Sequence, residues 1–145
     1  MMRKLIGMMM MISLNKDIIQ IQSEQDVVLF RHRLREHAQK ISMSVVNQTK
    51  LITASSELVR NILAYAGQGK ATIEVVSESL KTGVKVIFED SGPGIADISK
   101  AMQDGYSTGK SLGLGLPGAK RLVNYFDIQS KVGHGTKITI IRWKR

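Results

Sequence analysis

Apolar positions along this chain change their period several times, and each change marks an element. After Ser23, the residues Val27, Phe30, Leu34, Ala38 and Ile41 recur at helical spacing. Ser23 followed by Asp26 forms the capping-box pattern that opens such a helix. A second helix is expected over residues 45–66, with Leu51, Ser55, Leu58, Ile62 and Tyr65 as its buried stripe and Gly67 as its stop. Elsewhere the period shortens to two. Residues 16–21, 71–77 and 84–89 read as strands, the last with Val84, Val86 and Phe88 inward against Lys85 and Glu89, and Gly83 in a polar connecting loop. A short helix over 97–103, a glycine-rich loop and a helix over 117–126 follow. Two strands, 128–132 and 136–143, then flank the turn Gly133-His134-Gly135. The order β-α-α-β-β-α-α-β-β, with helices grouped together over a mixed, mostly antiparallel sheet, predicts an α/β two-layer sandwich covered on one face.

At 145 residues there is material for one domain, expected over 15–145, with 43% hydrophobic and 23% charged residues. Residues 1–14 are Met-rich and too short for a span of about 20 residues. They lack a signal-peptide cleavage site and read as a weakly ordered extension or the product of an upstream start codon. With no cysteine, disulfides and thiolate metal sites are excluded, and a reducing cytoplasm is expected. The net charge of +9 raises the question of nucleic acid. The basic residues are scattered, however, and three Phe, three Tyr and one Trp make no stacking platform. An anionic small ligand with an acidic protein partner accounts for the charge as well; Arg31 and Arg35, on the polar face of the first helix, are the candidate partner-binding residues.

Three separated clusters carry the chemistry. Glu57 and Asn61 stand one helical turn apart, so they project from one side of the second helix. A carboxamide can ligate Mg²⁺ without adding charge, and a neighbouring carboxylate can accept a proton. Asp90 closes an apolar strand and is followed by Ser91-Gly92-Pro93-Gly94. That turn lets backbone pass close to a flat ring whose amino group the carboxylate can accept from. Gly113-Leu114-Gly115-Leu116 precedes a helix that opens on Pro117, and glycine amides in that setting suit phosphate oxygens. Two decoys lie nearby. Gly113 to Gly118 spells G-x-G-x-x-G, but after a loop near the C-terminus instead of after a first strand. Gly105 to Ser111 imitates a phosphate loop with one residue too few between its glycines; Lys110 is kept from it as a phosphate contact. The three histidines show no metal-ligand spacing.

Taken in order, these clusters make the chain resemble the GHKL ATPase/kinase superfamily with its Bergerat ATP-binding fold. Glu57/Asn61 match the N box, Asp90 to Gly94 the first glycine box, Gly113 to Leu116 the second, and Gly135-Thr136 a late Gly-Thr pair. Within the superfamily the chain is similar to the anti-sigma-factor serine/threonine kinases, above all the RsbT-type switch kinases of the stressosome. The resemblance implies ATP and Mg²⁺ as cofactors, phosphorylation of STAS-domain proteins, and activation of a PP2C-type phosphatase by the released kinase, with no nucleic-acid or membrane partner. It implies Asn61 on Mg²⁺, Glu57 as the base and Asp90 on adenine. Gly92, Gly94 and Ile95 shape the purine side, Thr136 supports Asp90, and Lys110, Gly113, Leu114, Gly115 and Leu116 hold phosphate. An ATP-dependent binding switch without catalysis is the alternative; a kinase is distinguished by its need for Glu57, whose replacement by Ala should spare nucleotide affinity and abolish transfer.

Overall fold

The computed structural model describes residues 11–103 and 115–145. Its five strands form one sheet in the order β1-β2-β3-β5-β4: β1 (Met11–Ile21), β2 (Gly69–Glu78), β3 (Lys81–Asp90), β4 (Tyr125–Lys131) and β5 (Gly135–Trp143). The expected mixed character is absent, since every pairing among the described residues is antiparallel. Among the described residues four α-helices accompany the sheet: α1 (Glu24–Lys40), α2 (Val45–Asn61), α3 (Ile98–Ala101) and α4 (Gly115–Arg121). The two-layer arrangement is the one the hydrophobic periods predict.

The core forms where the stripe of α1 meets alternate residues of the sheet. Val27, Phe30, Leu34 and Ala38 are buried against Ala71, Ile73, Val86 and Phe88, and the Phe30 and Phe88 rings meet edge to face at 5.9 Å. In α2, Leu51, Ala54 and Leu58 join the same core. The capping box at Ser23 is complete, with Asp26 N–H donating to Ser23 Oγ at 3.4 Å and Ser23 N–H to Asp26 Oδ2 at 3.1 Å. At its other end α1 stops without glycine. Ser42 takes φ +61 while Met43 N–H donates back to Ala38 O at 3.0 Å and Ser42 N–H to Gln39 O at 2.9 Å, so a serine fills the left-handed position of a Schellman end.

Several local expectations are corrected. Strand β1 begins at Met11 rather than residue 16, because β2 offers partners as far as Glu78, with one irregularity between Ser13 and Asn15. Gly83 is no loop residue: it lies inside β3 opposite Val76 and Trp143, where a Cβ would stand 2.6 Å from Arg142 O. The hairpin turns instead at Ser79-Leu80, with Ser79 at φ +52. The helix expected over 117–126 ends at Arg121, and Tyr125 and Phe126 already pair with β5. Beyond Asn61 the second helix loosens into a π-turn, Ile62–Ala66, closed by Gly67 N–H donating to Ile62 O at 2.9 Å. The widened turn shifts the helical phase, so Tyr65, expected in the core, is 46% exposed.

Candidate functional site

The C-terminal turn of α2 presents the first cluster. Glu57 is not on a solvated face; it is 6% exposed, and its Oε1 accepts from the backbone N–H of Gly115 at 3.0 Å. Asn61, partly buried, is the last α-helical residue before the π-turn. Gly115 takes φ +67 at the first position of α4, whose Leu116 and Ala119 sink into the core. One side-chain bond thus joins the Glu57/Asn61 cluster to the second glycine cluster, across 58 residues of sequence.

The second cluster is assembled at the strand ends. Asp90 pairs with Gly69 of β2 on one side and Thr136 of β5 on the other. Both neighbours of its backbone are tight: a Cβ on Gly135, at φ +100, would collide with the Asp90 carbonyl, and one on Gly69 would stand 2.8 Å from Ile62 Cγ2. The carboxylate turns back on its own loop, Oδ1 accepting from Gly92 N–H at 2.9 Å. Gly92 in turn lies against the π-turn, where a Cβ would be 2.6 Å from Ala66 Cβ. Gly94, at φ +77, passes directly under the Lys131 backbone, and Gly133 N–H donates to Pro93 O at 2.9 Å. These contacts fix the loop between the end of β3 and the turn joining β4 to β5.

A residue that the motif reading passed over holds this corner together. Ser130 Oγ accepts from Ile95 N–H at 2.7 Å, donates to Gly135 O at 3.1 Å, and lies 2.7 Å from Thr136 Oγ1. The Thr136 hydroxyl is therefore engaged with Ser130, while its backbone is the register partner of Asp90. Only the β4–β5 register brings Ser130 opposite Thr136; a lone serine in an alternating strand carries no signal of it.

The structure ties Glu57 directly to Gly115, and the loop carrying Asp90, Gly92, Gly94 and Ile95 meets the π-turn that follows Asn61 where Gly92 lies against Ala66. Lys110, Gly113 and Leu114 lie outside the described residues. A cleft of about 720 Å³ opens at the same strand ends, lined by Asp90, Ser91, Gly135 and Thr136 together with Lys70 and Lys137. Neither Glu57 nor Asn61 lines it. The two candidate partner arginines differ. Arg31 Nε donates to Ser56 Oγ at 2.9 Å, tying α1 to α2, whereas Arg35 is exposed. Among the described residues no group of three or more His, Cys, Asp or Glu could hold a metal ion, and no helix is long and apolar enough to cross a membrane.

An antiparallel sheet backed by helices, with an acid-amide pair, a strand-end Asp and glycine turns meeting at one end, defines a class of ATP-binding domain. Residues 46–145 match the family of histidine kinase-, DNA gyrase B- and HSP90-like ATPases, and the chain belongs to that family. It is 46% identical over 131 residues to the serine/threonine-protein kinase RsbT of Bacillus subtilis (strain 168), spanning 90% of this chain and 98% of that protein. The crystal structure of the RsbU and RsbW domains of Rv1364c from Mycobacterium tuberculosis shares the fold, at a TM-score of 0.60 and 18% identity over 88% of this chain and 32% of the other.

Proposed function

We propose that this protein is an ATP-dependent serine/threonine kinase of a bacterial partner-switching stress pathway. It phosphorylates STAS-domain proteins and, once released from them, activates a PP2C-type phosphatase. The near full-length similarity to RsbT supports the activity, and the observation that carries the site is the bond from Gly115 to Glu57, which makes one locus of two distant motifs.

The donor set fits Mg-ATP. A neutral carboxamide at Asn61 beside a single carboxylate at Glu57 is too sparse to cage a cation alone, and suits Mg²⁺ that arrives with its phosphates. Mg-ATP supplies the transferable phosphoryl group and the charge that phosphate oxygens need neutralised. Asn61 is the protein's ligand to the metal. Asp90, with Oδ1 held by Gly92, presents its remaining acceptor capacity to the adenine amino group. Gly92, Gly94 and Ile95 set the path of the loop beside the purine, and Ser130 and Thr136 brace it. Lys110, Gly113 and Leu114 are the phosphate contacts, while Gly115, whose N–H is held by Glu57, and the core residue Leu116 set the end of that segment. Glu57 takes the proton from the acceptor hydroxyl of the partner as its oxygen bonds to the γ-phosphorus and the bond from that phosphorus to the bridging oxygen breaks, releasing ADP. Arg35, exposed on α1, is a partner contact; with Arg31 engaged by Ser56, the arginine pair divides into one structural and one outward-facing member.

The test is to incubate the protein with γ-labelled ATP, Mg²⁺ and purified STAS-domain proteins, then map the label. Label on a Ser or Thr of a STAS domain is expected. Retention of all label in ATP, with tight nucleotide binding intact, would leave a binding switch in place of a kinase.

A further inference from the structure

We propose that Glu57 is also a positioning residue, whose Oε1 fixes the backbone at the start of α4 while the second oxygen is left for proton transfer. This rests on the nucleotide reading above and assigns a second task within it. Gly115 is the first described residue of α4, so no carbonyl of the described helix precedes its N–H. The carboxylate of Glu57 supplies one at 3.0 Å, in a position only 6% exposed. A carboxylate is acceptor-only and the amide is donor-only, so the pairing has one sense, and the charge strengthens it. Further along α4, packing takes over: Leu116 and Ala119 are in the core, and Leu122 O, just past the helix, accepts from Arg142 Nη1 at 3.4 Å. Among the described residues, Gly115 is tied by the Glu57 carboxylate instead. Gly115 also sits at φ +67, a conformation glycine adopts and leaves freely, so an external bond is what selects it.

The consequence reverses a simple expectation for this site. Glu57→Ala does not merely delete a base. It frees the Gly115 amide, and the nucleotide must then order that backbone itself, which costs affinity. Glu57→Gln keeps an acceptor oxygen at the same reach and loses the basic group. Affinity and transfer therefore separate between the two variants, which a purely structural or a purely catalytic role does not produce.

The experiment compares the full-length wild type, Glu57→Gln and Glu57→Ala by amide hydrogen exchange at Gly115 in the nucleotide-free protein and by calorimetric titration with Mg-ATP. Exchange at Val86, deep in the sheet, reports whether each variant is folded. Losing a charge-assisted bond is worth roughly tenfold or more, so Gly115 should exchange about tenfold faster in Glu57→Ala and near the wild-type rate in Glu57→Gln. Mg-ATP affinity should fall about tenfold in Glu57→Ala and less than threefold in Glu57→Gln. Equal Gly115 exchange in wild type and Glu57→Ala overturns the proposal, as does a Gln variant no better than Ala. Failure of the wild type to bind Mg-ATP would remove the nucleotide reading, and the exchange rates would still decide the tie between Glu57 and Gly115.

Discussion

The two sides of the site are built on different principles. The strand-end side, around Asp90, is held by backbone: ladder pairs to Gly69 and Thr136, glycines pressed against carbonyls, and the Ser130 hydroxyl linking three chain segments. The helical side, around Glu57 and Gly115, is joined by a side-chain bond, from Gly115 N–H to the Glu57 carboxylate. Backbone pairing is cooperative and shared among many residues, so the Asp90 side is rigid before any ligand arrives. One charge-assisted bond, by contrast, is lost with a single substitution. On the proposed reading, the purine side is the one held by many backbone contacts and the phosphate side the one that depends on Glu57.

If that contrast is right, the deepest damage comes from filling the glycine space beside Asp90. Gly135→Ala forces a side chain onto the Asp90 carbonyl at φ +100. It should cost roughly 3 kcal/mol or more, from strain and overpacking together, read as a lowered urea midpoint. An Ala variant as stable as wild type would mean the strand ends are looser than described.

Asp90→Asn comes next and acts on binding alone. The amide oxygen can still accept from Gly92, so stability should hold within about 0.5 kcal/mol. Mg-ATP affinity should drop about ten- to a hundredfold, for loss of a charge-assisted bond of about 1.5–3 kcal/mol. Calorimetry showing unchanged affinity would remove Asp90 from the purine.

Ser130→Ala should cost about 1–2 kcal/mol, since Ile95 N–H and the Thr136 hydroxyl both lose their partner. Faster amide exchange at Ile95 should accompany it, with Gly115 unaffected. A change at Gly115 would show that the two sides are not separate.

The smallest effects are on α1. Arg31→Ala should lower stability by about 1 kcal/mol through the lost bond to Ser56. Arg35→Ala, at an exposed position, should stay within about 0.5 kcal/mol and reduce only transfer to a STAS partner. Equal transfer by the Arg35 variant and the wild type would move the partner surface elsewhere.

The same division between local and distant forces governs how far the residues could be read in advance. The Ser23/Asp26 cap and the Val27, Phe30, Leu34, Ala38 stripe are set by neighbours within a few residues, and they stand where their spacing places them. The three clusters were visible because each is a short run with its own chemistry. Tyr65 escaped the helical rule because the π-turn, packed against Gly92, alters the phase after Asn61. Gly83 looked like a loop residue because what demands glycine there is Arg142 and Trp143, some sixty residues away in sequence.

By itself, then, the sequence determined the elements, the covered sheet and the residue types that nucleotide chemistry requires, since propensity, periodicity and side-chain function are properties of short stretches. Tertiary structure alone decided that Glu57 meets Gly115, that Ser130 braces Ile95 and Thr136, and that Arg31 turns inward while Arg35 does not. Those outcomes depend on strand register and helix packing, which join residues far apart along the chain and leave no periodic trace in it.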